Sequence, residues 1–278
     1  MGPVPRVHGR SAAADAKRWH IDDRERYPMP KPTGAINKYG HLEEYTPEDI
    51  AAGAHRKRVG AYWDEIGKLQ FDFLVKQGLT PGSTLLDVGC GSLRGGIHFI
   101  RYLDQGNYYG VDVDPALVKA GLEYELPSAG LSDRLPEENL RVTTRFNADF
   151  GVKFDFALAQ SVFTHLPLNH IRLCLFRVAK VMPPGGRFFA TYFEAPADEP
   201  FDKPFKKRYP EQDPFQYRPY EMEWAANVAG WKFRNIGDWG HPRGQRMAEY
   251  RRVASPRTTV QRVRRKAKRM VGGVRSRA

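Results

Sequence analysis

The stretch LLDVGCGSLRGG, Leu85 to Gly96, decides the fold. An apolar run closes on an acid, Asp87, and a Gly-Cys-Gly turn follows directly. Small residues and a helical pattern come next. Gly89 and Gly91 allow a tight turn and a close approach of backbone to a ligand. In an open parallel sheet the site lies beyond the carboxyl ends of the strands, so this turn faces the crevice. A second acid, Asp112, stands twenty-five residues after Asp87, at the end of the next apolar run, NYYGVDV. A carboxylate there can accept both hydroxyls of a ribose.

Outward from this point, strands and helices alternate. Strands are predicted at 84–89, 107–113, 140–144, 154–160 and 186–193, with helices at 94–103, 115–125 and 167–182. This is the rhythm of a parallel sheet built from βαβ units. A helix near 218–229 precedes two last strands, 231–238 and 246–253. Only WGHPRGQ links that pair, too short for a crossover helix, so the pair is an antiparallel hairpin. Upstream, Thr46-Pro47-Glu48-Asp49 is a helix start. Helices are expected at about 47–58 and 61–77, the second ended by Gly78. Residues 1–45 are polar and proline-rich and read as a flexible arm. The chain thus divides into an arm (1–45), one α/β domain (46–255) and a tail (256–278).

Composition bounds the rest. The net charge of +12 is concentrated at one end: residues 251–278 hold eleven Lys or Arg and no acid, which leaves 33 basic against 32 acidic residues elsewhere. Claims about polyanions therefore attach to the tail. There are two cysteines, Cys90 and Cys174, too few for a disulfide framework, so a reduced, cytoplasmic protein is expected. Cys90 reads as a small residue fitting the turn. No apolar run is long enough to cross a membrane, and the first twenty residues lack the apolar centre of a signal peptide.

The two acids suggest an adenosine-containing cofactor. The dinucleotide pattern Gly-x-Gly-x-x-Gly is not met, because Arg94 stands where the third glycine belongs. An acid before the glycines also repels a pyrophosphate. It suits a ligand with a sulfonium and an ammonium group, S-adenosylmethionine. LLDVGCGSLRGG, YYGVDVD, FNADF, FDFALAQSVFTHLP and PPGGRFFAT, in that order, resemble the motifs of class I S-adenosylmethionine-dependent methyltransferases. The resemblance covers about residues 60–253. It implies a Rossmann-like, doubly wound sheet of seven strands in the order 3-2-1-4-5-7-6, with strand 7 antiparallel and supplied by the hairpin. It implies that Asp87, Gly89 and Gly91 line the methionine part of the cofactor, and that Asp112 takes the ribose hydroxyls. Ala148, Asp149 and Phe150 would flank the adenine, with Asp149 accepting from its amine. Gln160, ending the fourth strand, would face the methionine or the methyl group. The ending HPRGQRM is also similar to methyltransferases of bacterial surface-glycan and secondary-metabolite pathways.

Methyl transfer is an in-line displacement, in which the enzyme aligns the partners and excludes water. A hydroxyl acceptor also needs a base. His165 follows the fourth strand, and His241 lies in the hairpin link beside Arg243; these two histidines are the candidate bases. Asn-Pro-Pro-Tyr, an amine-methylating signature, is replaced by Gln160-Ser161-Val162-Phe163, which argues against base N-methylation by that route. Residues 194–220 mix Phe201, Phe205, Tyr209, Phe215 and Tyr217 with Lys203, Lys206, Lys207 and Arg208. That suits a glycan or an anionic group, or else a solvated loop with its aromatics tucked onto the sheet. Tyr62 and Trp63 are candidate lid residues. The tail has a thin apolar face among its cations; it fits an anionic membrane surface, a nucleic-acid backbone, or plain disorder. The expected function is methylation of a small-molecule or glycan-linked acceptor, with oxygen favoured. An RNA methyltransferase gripping RNA by its tail and a silent cofactor-binding subunit are the rivals.

Overall fold

Every apolar run predicted as a strand is a strand in the computed structural model, which describes residues 45–60, 62–197 and 214–254. The arm up to residue 44, most of the 194–220 insert and the basic tail lie outside the described residues. The strands are β1 (Leu85–Val88), β2 (Tyr108–Asp112), β3 (Leu140–Val142), β4 (Phe156–Ala159), β5 (Arg187–Glu194), β6 (Gln216–Tyr217), β7 (Trp231–Asp238) and β8 (Arg246–Arg252). They form one sheet in the order β3-β2-β1-β4-β5-β8-β7, with β6 attached to β5. The first five are mutually parallel. β8 is antiparallel to β5 and to β7, so β7 runs with the rest. With β6 set aside, this is the predicted order. β6 was not anticipated, since it is two residues pairing with Phe193 and Glu194 at the end of β5.

Burial explains the patterns. β1 and β4 are buried at every residue, as expected of central parallel strands covered on both faces. β5 alternates, Phe188 packing with Phe163, Tyr250 and Trp231 on one face and Phe189 with Phe73 on the other. The edge strand β7 carries charged and polar residues and a bulge between Asn235 and Gly237, features that discourage edge pairing.

The helices are α1 (Pro47–Ala51), α2 (Ala54–Arg58), α3 (Trp63–Lys76), α4 (Gly96–Tyr102), α5 (Pro115–Ala120), α6 (Leu126–Ser128), α7 (Leu168–Val181) and α8 (Pro219–Ala226). The single helix expected at 47–58 is two. A capping box between Thr46 and Asp49 starts α1, and left-handed Gly53 breaks the run before α2. α3 ends as predicted at Gly78: Leu79 N–H reaches Leu74 O and Gly78 N–H reaches Val75 O, with both leucines buried. α5 gives way at Gly121 to a π-helical stretch, Gly121–Glu125, which ends on the buried Glu125.

Candidate active site

Two buried acids end β1 and β2. Asp87 accepts a hydrogen bond from the Tyr108 hydroxyl at 2.7 Å. Burial pushes its carboxyl up to about 7, with the nearby Asp112 adding to the rise. Asp112 accepts the backbone N–H of Gly91 on Oδ2 (2.7 Å) and that of Asp114 on Oδ1 (2.9 Å). Burial raises Asp112 as well, against the pull of those backbone hydrogen bonds. Between the acids the turn demands glycine. Gly89 has φ 79°, and a Cβ there would lie 2.4 Å from Val162 Cγ2. Gly91 has φ 53°, and a Cβ would lie 2.9 Å from Val59 Cγ1. Cys90 is buried, and burial with both acids nearby pushes its thiol up, so it stays protonated and packs as expected.

Among the described residues, four non-glycine residues have positive φ: Tyr62, Leu93, Phe146 and Ser161. Leu93, Phe146 and Ser161 lie in the loops after β1, β3 and β4, and Tyr62 opens α3. A left-handed leucine or phenylalanine costs free energy, and such residues cluster where a site over-determines the backbone. Leu93 is wholly buried, and its side chain packs onto the backbone of Gly96 and Gly121.

A chain of polar contacts crosses the crevice from Arg94. Its guanidinium donates to Val59 O (3.0 Å) and to Gln160 Oε1 (2.6 Å). That second bond orients the Gln160 amide, whose Nε2 donates to Ser161 Oγ (2.7 Å) and faces His241 Nε2 at 3.1 Å. His241 Nδ1 accepts the backbone N–H of Arg243. The ring is stacked on Trp239 and buried. Burial, then Arg94 and Arg243, lowers His241 to about 4, so the ring is neutral at physiological pH. Behind it, Gln245 bonds Ser161 and Thr191, and Thr191 Oγ1 accepts Ser161 N–H. The hairpin link thereby holds the loop after β4.

The α1–α2 segment straps the other wall. His55 Nε2 lies 2.5 Å from Glu125 Oε1, and Arg56 grips both oxygens of Glu125 at 2.6 and 2.7 Å. Trp63 packs edge-on to His55 and beneath the Arg56 guanidinium, so this expected lid residue anchors the strap. Tyr62 is half exposed, with the Arg243 guanidinium 5.8 Å from its ring centre.

The structure brings Asp87, Gly89, Gly91, Asp112, Gln160 and His241 together through these contacts. Ala148, Asp149 and Phe150 lie in the loop after β3, next to β2. Ala148 is buried, Phe150 packs on Tyr109 under the Arg141 guanidinium, and Asp149 is exposed and accepts Gly151 N–H. His165 ends the 3-10 turn Phe163–His165, half-buried, just beyond β4. Phe215 and Tyr217 are buried, and Tyr217 donates to Leu166 O, so these two insert aromatics pack onto the sheet. Of the groups sequence reasoning passed over, Arg94 had a signal, a large cation among small residues in the turn. Gln245, Thr191 and the His55–Glu125 pair had none, because only the fold brings them near the crevice.

The arrangement fits an adenosine-bearing cation. Each Asp112 oxygen keeps one acceptor position after its backbone hydrogen bond, enough for a diol. Asp87, short of countercharge, gains from a cationic neighbour. Residues 86–188 match a family model described as a methyltransferase domain. Among solved structures, the CcbJ methyltransferase of Streptomyces caelestis is similar at TM-score 0.59 and 14% identity, over 80% of this chain and 100% of that one. The sugar N-methyltransferase KedS8 of a Streptoalloteichus species gives TM-score 0.55 and 17% identity, over 81% and 99%. The magnesium protoporphyrin IX methyltransferase of Synechocystis, with bound S-adenosylmethionine, gives 0.50 and 16%, over 69% and 84%. At these identities the likeness is one of fold.

Proposed function

We propose that the chain is a class I S-adenosylmethionine-dependent methyltransferase and that it methylates a small-molecule or glycan-linked acceptor at oxygen. The observation that carries this reading is the pair of buried carboxylates, Asp87 and Asp112, on adjacent strand ends with the glycine turn between them. When bound, S-adenosylmethionine supplies an electrophilic methyl on a sulfonium. In this reading Asp112 takes the two ribose hydroxyls on its remaining acceptor positions. Asp87, Gly89 and Gly91 line the methionine part. Ala148 and Phe150 flank the adenine, and Asp149 accepts from its amine. Gln160, held by Arg94, faces the methyl group.

The acceptor proton goes to His165 or His241. His241 is neutral, but its Nδ1 lone pair accepts Arg243 N–H, and burial and two arginines make it a weak base. His165 is less buried and stands one turn beyond Gln160. The acceptor class draws support from neighbours of the same fold whose names specify sugar or porphyrin substrates. The basic tail, which lies outside the described residues, serves in this reading to hold the enzyme at an anionic membrane surface. Among the described residues, no helix is long and apolar enough to cross a membrane.

The test is calorimetry of the purified protein with S-adenosylmethionine and with NAD, followed by turnover on sugars, sugar nucleotides and RNA. Binding of the first cofactor alone, and turnover of a hydroxylated sugar, is the expected result. His165→Gln or His241→Gln should then lower the rate by about 10²–10⁴ with cofactor affinity spared. Preference for NAD, or turnover of RNA alone, overturns the reading. A chain ending at Ser255 should keep turnover and lose sedimentation with anionic vesicles.

A further inference from the structure

The Arg243 guanidinium sits at the seam between the strap and the hairpin link. A Cβ on Gly60 would touch its Nη1 at 3.3 Å, and the Tyr62 ring lies below it at 5.8 Å. Its contacts are with that ring and the strap backbone, and no carboxylate pairs with it among the described residues. Its backbone N–H meanwhile bonds His241, which in turn faces Gln160. The side chain therefore stands at the outer end of the polar chain that begins at Arg94.

Charge is distributed unevenly across this crevice. The carboxylates Asp87 and Asp112 lie at the floor, both buried. The guanidinium groups of Arg94 and Arg243 lie on the His241 side, close enough for both to disfavour a proton on that ring. A sulfonium brought to Gln160 adds a third positive charge. A neutral acceptor would leave that side uncompensated, whereas an anion answers it, and a guanidinium fork matches an oxyanion in geometry as well as charge.

We propose that the methyl acceptor carries an oxyanion, a carboxylate or a phosphate, which docks on Arg243 beside Tyr62, at the hairpin link. This rests on the methyltransferase reading and narrows it: the acceptor is an acidic sugar, a sugar phosphate or a similar anion. Tyr62, half exposed, offers its ring to the body of the acceptor while Arg243 takes its charge.

The experiment keeps the two readings apart. Calorimetry with S-adenosylhomocysteine comes first; failure there defeats the cofactor assignment. The full chain loaded with S-adenosylhomocysteine is then titrated with inorganic phosphate, acetate and neutral methyl glucoside. Saturable binding of phosphate or acetate is expected, weakened at least fivefold in Arg243→Gln and partly restored in Arg243→Lys. S-adenosylhomocysteine affinity should be the same in both variants. Arg264→Gln, in the basic tail, should leave the anion affinity unchanged, which separates this site from the tail. The two anions distinguish a phosphate-bearing from a carboxylate-bearing acceptor. Equal anion affinity in the wild type and Arg243→Gln overturns the proposal. So does a loaded chain that binds the glucoside and neither anion.

Discussion

Gly91 donates its backbone N–H to Oδ2 of Asp112 at 2.7 Å, so the carboxylate ending β2 holds the turn that follows β1. The same carboxylate holds Asp114 N–H, at the entrance to α5. Asp112→Ala therefore strips two buried donors of their acceptor as well as any ribose of its partner. It should weaken S-adenosylmethionine binding by roughly a hundredfold to ten-thousandfold, since two hydrogen bonds to a charged group, each worth about 1.5–3 kcal/mol, are lost. It should also lower the stability of the free protein by about 1–3 kcal/mol per orphaned donor. Calorimetry and urea unfolding read the two effects separately. A variant as stable as the wild type would show that the tie to Gly91 carries no weight.

Gly89→Ala should destabilise the protein by roughly 2–5 kcal/mol, from the left-handed backbone and from overpacking against Val162. Val162→Ala in the same chain should recover the overpacking share. A double-mutant cycle by thermal unfolding measures that coupling. Simple additivity would mean that the close approach to Val162 relaxes at no cost.

Asp87 gives a pH signature. Its folded-state carboxyl is raised to about 7, above its unfolded value. Such a group contributes stability that is fully present below the unfolded pKa and is lost as pH rises through the folded one. Asp87→Asn should therefore unfold less readily than wild type at pH 8, by on the order of 2–4 kcal/mol, and show little gain at pH 4. A cation at the site draws the proton off, so S-adenosylmethionine should release protons on binding at pH 6. Calorimetry in buffers of different ionisation enthalpy detects that release, and Asp87→Asn should abolish it.

The strap should respond to acid in the opposite sense. Burial raises Glu125, but the hydrogen bonds from Arg56 and His55 outweigh it and its carboxyl lies below the usual value. Its contribution is present above the unfolded pKa and fades as pH falls through the folded one. The exchange protection of amides in residues 46–60, taken relative to the intrinsic rate at each pH, should fall as the pH is lowered below about 4.5, ahead of the sheet. Glu125→Gln should show the lower protection already at pH 7.

The strands were readable because each is a buried run whose residues have no other use, as in Leu85–Val88 and Phe156–Ala159. The hairpin followed from chain length alone. What escaped was set by tertiary contact. A two-residue β6 has no period to read. The break at Gly53 looks like a tolerated helical glycine until α1 and α2 are seen to turn there. Left-handed Leu93 is invisible to propensity, since leucine is a poor occupant of that region and is held there by its packing against Gly96 and Gly121. At the candidate site the floor was legible, Asp87, Gly89, Gly91 and Asp112, because strand ends are sequence features. Arg94's reach to Gln160 spans sixty-six residues and became visible only in three dimensions.

The bond between Gly91 and Asp112 also bears on the order of events during folding. Its two ends lie twenty-one residues apart, one in the turn after β1 and one at the end of β2. The turn after β1 has one local bond, Leu93 N–H to Cys90 O, but Gly89, Cys90 and Gly91 find their acceptors only when β2 has docked beside β1. A peptide carrying residues 80–100 alone lacks those acceptors and should hold the turn poorly. In kinetic terms the ligand cradle matures after the central strand pair has formed, so conservative substitutions at Val88 and Val111 should slow refolding more than Asp112→Asn does.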